Sequence, residues 1–468
     1  MASPCHWIAQ ALAEDDAVSP ALEGEHKADV CIVGGGYLGL WTAIRLKQED
    51  PKLDVVLIEQ SFCGSGPSGR NGGYVLSWWA KYQTMKKVCG TAEAIRLCQA
   101  SARSVDEIGR FCASHGIDAE YRRDGWLWLA TCAAHDGAWS PIMDDLERRQ
   151  IHPFERLTPD EVSARAHSRA HVTGVFEPTA ATVQPAKLVR GLRRVAIKLG
   201  VQVFENTPMT RLVRSYPPVV ETPRGRVVAS KVALAMNAWT AQFAEIRKAI
   251  AVIGSDVMIT EPMPERLAEL GYTDGVPISD SRTLVSAWRN TPDGRLVTGR
   301  GGVSCLHAYG GRVGTTFDGR STQEKGMREI RDLLYPGLKD APTATSWSGP
   351  VDRSKSGLPF LGRLGGHRDI VFGVGFSGNG VGPTHACSRI LCSLIGDKQD
   401  EWAKSGLVRP LTYDFPPEPI RHLGVWLVRK AMIAKEEAEM AGRKPGAIAN
   451  YFAGFAPNML ASGKTLDE

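Results

Sequence analysis

The stretch from Asp29 to Gly73 constrains this chain more than any other: a strand, a glycine turn, a helix, a second strand and a glycine-dense loop follow one another without a break. Asp29–Val33 is a short apolar, β-rich run of the kind buried in a parallel sheet. It leads into Gly34-Gly35-Gly36-Tyr37-Leu38-Gly39, with glycines at the three spacings of a dinucleotide-binding turn. Gly34 permits the tight turn, Gly36 leaves a pyrophosphate unobstructed, and Gly39 lets the next helix lie close to the strand. That helix, expected from about Leu38 to Lys47, offers free amides and a partial positive charge to a diphosphate. Asp54–Ile58 reads as the second strand and stops at Glu59, about twenty residues past the turn, where an acid accepts hydrogen bonds from ribose hydroxyls and disfavours a 2′-phosphate.

The following run, Gly64-Ser65-Gly66-Pro67-Ser68-Gly69-Arg70-Asn71-Gly72-Gly73, has small residues and donors suited to lying against a flat tricyclic ring. It resembles the flavin loop of the D-amino-acid oxidase/glycine oxidase superfamily, in particular the Ser-Gly-Arg-Asn-Gly-Gly branch that includes γ-glutamylputrescine oxidases, with Pro67 where a small residue such as Ala is usual. The resemblance implies a Rossmann-like FAD-binding domain of the glutathione-reductase type and an antiparallel-sheet substrate domain, to which the sequence itself adds a C-terminal helical tail: α/β in its first domain and α+β overall.

The length of 468 residues fits two or three domains, and 43% hydrophobic residues supply their cores. Met1–Lys27 lacks the pattern of a secretory signal and no window reaches the apolar length of a membrane span. Ten scattered cysteines without CxxC pairs point to reduced thiols in a cytoplasm, and to no metal site. Cys63, beside the flavin loop, is the one thiol to weigh for redox work, against inert packing as the favoured reading. A net charge of +5, spread along the chain, offers no basic stripe for nucleic acid.

Tyr74–Trp79 leaves the loop as an aromatic run, and Trp78 and Trp79 are candidates to line a substrate pocket. Helical periodicity marks Thr91–His115, and Glu120–Ala130 alternates like a strand carrying Trp126 and Trp128. The chain then returns to the first domain: a helix to Leu199 and a strand from Gly200 to Asn206 lead to Pro208 and Met209, which the resemblance sets against adenine, and Asn237 falls in a turn near the pyrophosphate. Ala251–Thr260 and Arg282–Gly299 read as long antiparallel strands that roof the flavin. Arg289, Arg300, Arg312, His307 and Tyr309 fall on or near that roof; Arg300 is a candidate for an anionic substrate group, and His307 and Tyr309 for the amine side of catalysis. The domains expected are 28–85, 175–250 and 340–400 for FAD, 86–174 and 251–339 for substrate, and 410–468 for the tail.

A second glycine loop, Gly375 to Gly382, follows the Ile370–Gly373 strand and opens a helix through Leu394, whose amides can stabilise negative charge on a reduced flavin. The cofactor-contacting set is therefore Gly34, Gly36, Tyr37, Leu38, Gly39, Glu59, Gln60, Ser65, Gly66, Ser68, Arg70, Asn71, Gly72, Gly73, Pro208, Met209, Asn237, Gly349, Phe376, Ser377, Gly378, Asn379, Gly380 and Val381. Two departures from the superfamily follow. Its amino-acid oxidases clamp the substrate carboxylate with an Arg where this chain has Val351, although Arg353 lies two residues away and can replace it. Monomeric sarcosine oxidases attach FAD through a Cys near Gly349 and Pro350, neither of which can serve, so non-covalent FAD is expected.

Together these features imply oxidation of a small amine at carbon, with imine hydrolysis and O2 or another electron acceptor closing the cycle. Acylated polyamines, ω-amino acids and aminophosphonates all suit the missing clamp. Oxygen reactivity in the related oxidases uses a positive charge close to the flavin, for which Arg70 and Lys81 are the candidates, and spacing alone does not place either. D-amino-acid or hydroxy-acid oxidation, a flavin monooxygenase and a non-catalytic flavoprotein subunit are the alternatives. Ile420–Met440 reads as a basic amphipathic helix that caps the FAD domain; Glu436, Glu437 and Glu439 count against anionic lipid as its partner.

Overall fold

The computed structural model describes residues 5–301 and 306–456. Two sheets organise it. The first runs Phe360–Arg363, Ile370–Val374, Gly225–Leu234, Gly24–Val33, Val55–Ile58, Gln202–Phe204. All its neighbours on this path are parallel except the outermost pair, Phe360–Arg363 with Ile370–Val374. Its central strands are buried on both faces, as a parallel sheet covered by helices requires. Three helices, Tyr37–Glu49, Pro185–Lys198 and Val381–Ile395, pack together with it into one core.

The second sheet is the roof: Thr343–Ser354, Ile250–Thr260, Leu296–Gly301, Ser286–Asn290, Ile278–Asp280, Trp126–Ala130, Thr173–Glu177, Glu155–Leu157. The span read as one strand from Arg282 to Gly299 is a hairpin, Ser286–Asn290 against Leu296–Gly301. Its reversal is local chemistry: Gly294 takes φ +77°, and the amide of Arg295 donates to the Thr291 hydroxyl at 2.9 Å. Thr343–Ser354, grouped above with the FAD segments, is an edge strand of this roof, paired with Ile250–Thr260.

Alternation along the roof decides what its residues face. Val257, Val297 and Trp347 pack toward the N-terminal helix His6–Glu14. Trp288 and Leu296 pack on the opposite side with Ile330 and Leu334 of the Glu324–Leu334 helix. Beyond the two sheets, Ile420–Met440 and Ala447–Ala453 form the tail; residues 457–468 of the tail expected from sequence lie outside the described residues.

Candidate functional site

Between the sheets lies a cavity of about 340 Å³, within the range of small-molecule sites. Its floor is the first glycine turn. The Glu59 carboxylate accepts the Gly35 amide at 2.8 Å and the Ser61 amide at 3.1 Å, which pins the turn to the end of the second strand. Burial raises the Glu59 pKa against the pull of those amides. A Cβ on Gly39 would lie 2.0 Å from the Gly34 carbonyl oxygen, so the helix can approach this closely only without a side chain there.

The flavin-type loop is a self-bonded unit. Pro67–Arg70 makes one helical turn, the Asn71 amide group donates to the Pro67 and Ser68 carbonyls, and the Gly73 amide donates back to Asn71 Oδ1 at 2.8 Å. Tyr37 N donates to Ser68 Oγ at 3.0 Å, joining the loop to the glycine turn. From the roof, Arg289 clamps it, donating to the Gly72 and Val183 carbonyls at 2.7 Å each. Arg70 is a brace as well, donating to Ser65 O and pairing with Asp318 at 2.8 Å.

The far wall is the second glycine loop. Gly375 and Gly378 have φ +86° and +88°, and Ser377 shares that left-handed region at +56°. Asp352, which borders the cavity, holds it: Oδ2 accepts the Gly375 amide at 2.6 Å while Oδ1 is buried without a partner. Burial pushes the Asp352 pKa up to about 6, opposed by the amides of Gly375, Phe376 and Ser377. A carboxyl raised in the folded state stabilises below the ordinary value of about 4, and the contribution is lost as pH rises through about 6. Thermal midpoints of the apoprotein are therefore expected to fall between pH 4 and 6 for this reason, and Asp352→Asn to flatten that slope. A variant with the wild-type slope would show that Asp352 does not titrate there.

Of the cofactor set read from sequence, Gly34, Gly36, Tyr37, Leu38, Glu59, Gln60, Gly66, Ser68, Arg70, Asn71, Gly72, Pro208, Met209, Asn237, Gly349 and Phe376 through Val381 border this one cavity. Gly39, Ser65 and Gly73 stand behind it as supports. Tyr74 and Leu76 border it too, while Val75 between them is in the core; two-residue alternation from Gly72 would have found both.

The expected substrate and catalytic residues fare differently. Trp78 and Trp79 pack into the main core, not the cavity wall. His307 is turned away: its ring nitrogens meet Glu418 Oε1 and the Val252 carbonyl at 3.1 Å each. Tyr309 is exposed beside His422. Neither borders the cavity: His307 bridges to Ile253, and Glu418 and His422 of the tail side hold the two side chains away from it, which argues against the catalytic roles expected of them. Arg300 borders the cavity, yet its guanidinium pairs with Glu436 of the tail helix. Asp256, its register partner, likewise turns to the hydroxyls of Ser321 and Ser348 at 2.7 and 2.6 Å. Arg353 is buried one position beyond Asp352. Cys63 is also buried, and burial followed by the charges of Glu59 and Glu205 raises its pKa well above a free thiol's. Cys63→Ala is expected to leave peroxide sensitivity and flavin content unchanged, measured by thiol titration and absorbance; a loss of sensitivity would restore a redox role.

A parallel dinucleotide sheet, its glycine turn with a terminal acid, and an antiparallel roof closing over a flavin-type loop define a flavoprotein oxidoreductase. The chain matches the FAD dependent oxidoreductase (DAO) family over residues 29–394 and belongs to that family. It is similar to γ-glutamylputrescine oxidoreductase of Escherichia coli strain K12, 29% identical over 378 residues, 79% of this chain and 84% of that one. It is also similar to the probable oxidoreductase OrdL of Haemophilus influenzae, 26% identical over 416 residues, 86% and 90% of the two chains. Among solved structures, glycine oxidase from Geobacillus kaustophilus superposes with a TM-score of 0.67 at 21% identity, covering 83% of this chain and 99% of that one. The protein is thus an FAD-dependent oxidoreductase, and the family's cofactor suits the residues present: side-chain-free glycines at the turn, the Glu59 carboxylate just past the second strand and, in Asp352 on the cavity border, a carboxylate with one oxygen unpartnered. No described helix is long and apolar enough to cross a membrane, and no described cluster of His, Cys, Asp and Glu could hold a metal ion.

Proposed function

We propose that this protein oxidises the C–N bond of a small amine bearing an anionic group away from the reacting carbon. FAD, which the glycine turn, the flavin loop and the second glycine loop would hold non-covalently, would supply two-electron oxidation at the carbon beside nitrogen; the substrate gives up a hydride equivalent and a proton, and water converts its imine to a carbonyl and an amine. The observation that carries the reading is the cavity wall between roof and flavin loop. Ser255, Ser279, Ala287 and Gly299 are small and Val285 and Val351 are apolar, while Arg300 pairs with Glu436 and Asp256 accepts two serine hydroxyls at Oδ1, its Oδ2 buried without a partner. Such a surface favours the neutral amine that hydride loss requires and keeps water from the reacting carbon.

The γ-glutamylputrescine oxidoreductase relative supports an acylated polyamine over a free α-amino acid, as does Val351 at the position of the superfamily's carboxylate clamp. Arg353 and Lys81, both buried next to the cavity border and not on it, are the cations we assign as counter-charge for the distal anion. Burial lowers Lys81 to about 7, with the Arg353 charge adding to it, so the two cations are close enough to repel. An anion beside them would draw a proton onto Lys81. Affinity for an anionic amine is then expected to weaken as pH rises above about 7, read as KM against pH. A KM independent of pH there would remove Lys81 from substrate recognition. Nine free cysteines among the described residues support a reducing, cytoplasmic setting.

The deciding experiment is the anaerobic visible spectrum with γ-glutamyl-capped polyamines, ω-amino acids, plain amines, D-amino acids and NAD(P)H. Bleaching by a capped polyamine or ω-amino acid is expected, and admission of air then separates an oxidase from a dehydrogenase. Bleaching by D-amino acids alone or by NAD(P)H alone would overturn the proposal.

A further inference from the structure

The tail gathers exposed apolar side chains as no other part of the described chain does. Ile420, Leu423, Trp426 and Leu427 recur on one stripe of the Ile420–Met440 helix. Ile448, Tyr451 and Phe455 make a second stripe on the Ala447–Ala453 helix and the turn after it, with the rings of Tyr451, Phe452 and Phe455 clustered at 5.2–6.3 Å. These seven are half of the fourteen large hydrophobics exposed in the described residues, so the surface is concentrated, not scattered.

Charge says what covers it. The acids that argue against anionic lipid are mostly spent on the protein body: Glu436 pairs with Arg300 and lies 3.8 Å from Arg282, and Glu439 meets Lys435 at 3.0 Å and His135 at 3.3 Å. Glu437 alone of the three stays exposed, against exposed Lys430, Arg443 and Lys444. Lys430 stands 5.8 Å from the Trp426 ring, its ammonium beside the apolar stripe. A second copy of the chain would bring the same excess of cations against itself. Exposed aromatics flanked by lysine and arginine instead match the interface of a bilayer.

We propose that this tail is the surface by which the enzyme docks on an anionic lipid bilayer, lying in the headgroup layer without spanning it. The Glu436 and Glu439 pairs anchor the tail to the roof, while the two apolar stripes enter the membrane face.

The full-length, FAD-loaded protein would be sedimented with vesicles of phosphatidylcholine alone and of phosphatidylcholine with phosphatidylglycerol. Binding is expected only with the anionic vesicles, weaker in high salt. It should be at least about tenfold weaker, a loss of ~1.4 kcal/mol, for Leu423→Ser/Trp426→Ser/Leu427→Ser and separately for Ile448→Ser/Tyr451→Ser. Flavin content and spectrum, unchanged in these variants, confirm folding. As a second readout, brominated-chain lipid should quench protein fluorescence in the wild type and less in Trp426→Phe. Absence of binding to anionic vesicles overturns the proposal. So does sedimentation equilibrium showing a dimer that the same substitutions dissociate, since a second copy would then own the surface.

Discussion

Glu205→Ala is expected to destabilise the protein by about 3–5 kcal/mol and to release its flavin. Glu205 is fully buried and ties three distant segments together. It accepts the Ser19 amide at 2.6 Å from the N-terminal arm, the Cys63 amide at 2.7 Å at the start of the flavin loop, and the Arg193 guanidinium at 2.9 and 3.1 Å from the Pro185–Lys198 helix. Arg190 approaches to 3.5 Å. Removing the carboxylate leaves two buried amides without an acceptor and Arg193, itself buried, without its counter-ion. Asp15, 3.1 Å from Arg190, limits the damage to that arginine. The double variant Glu205→Met/Arg193→Met should recover part of the loss, because an apolar pair of similar volume leaves no orphaned charge. Denaturant midpoints at constant m and the ratio of flavin to protein absorbance measure both effects. A loss below about 1 kcal/mol would mean that water or neighbouring groups replace the carboxylate.

Glu205 also illustrates what the sequence made legible and what it did not. Gly34, Gly36 and Gly39 announce the nucleotide turn because local backbone sterics force glycine there, and such demands are written within a few residues of each other. The partners of Glu205 lie 12, 142 and 186 residues away, and nothing local marks them. The roof failed for a different reason. Its strands were legible, yet the hairpin at Thr291–Arg295 was read through, and in a sheet the face each residue presents follows from such register. Arg300, expected at the substrate, does border the cavity, but the partner of its guanidinium is a tail residue 136 positions later. Conversely, Arg289 looked like one more roof arginine and proves to clamp Gly72, the loop most readily recognised in the sequence. Trp78 and Trp79 followed the general rule that large aromatics fill cores.

The second large effect is expected at Arg353. Replacement by methionine should lower kcat/KM for an anionic amine by about 10–100-fold, the ~1.5–3 kcal/mol of a hydrogen bond to a charged group, and leave a neutral amine of the same length within about twofold. Arg353 is buried, its Nε has no partner, and burial lowers its pKa to about 10 with Asp352 alone opposing. A cation held in such a place is costly, and an anion entering beside it would return part of that cost. Val351, which borders the cavity, lies on the same face of the strand two positions earlier, so Arg353 stands beside it on that face, just past the cavity border. Two controls separate recognition from damage. Arg353→Lys keeps the charge and should retain more activity than methionine toward the anionic amine, while flavin content should stay constant in both variants. Because the loss should sit in KM rather than in kcat, reduction of the flavin by saturating substrate under anaerobic conditions should remain fast. Equal losses for anionic and neutral amines would assign Arg353 to the packing behind the second glycine loop and leave the anion to be held elsewhere in the cavity.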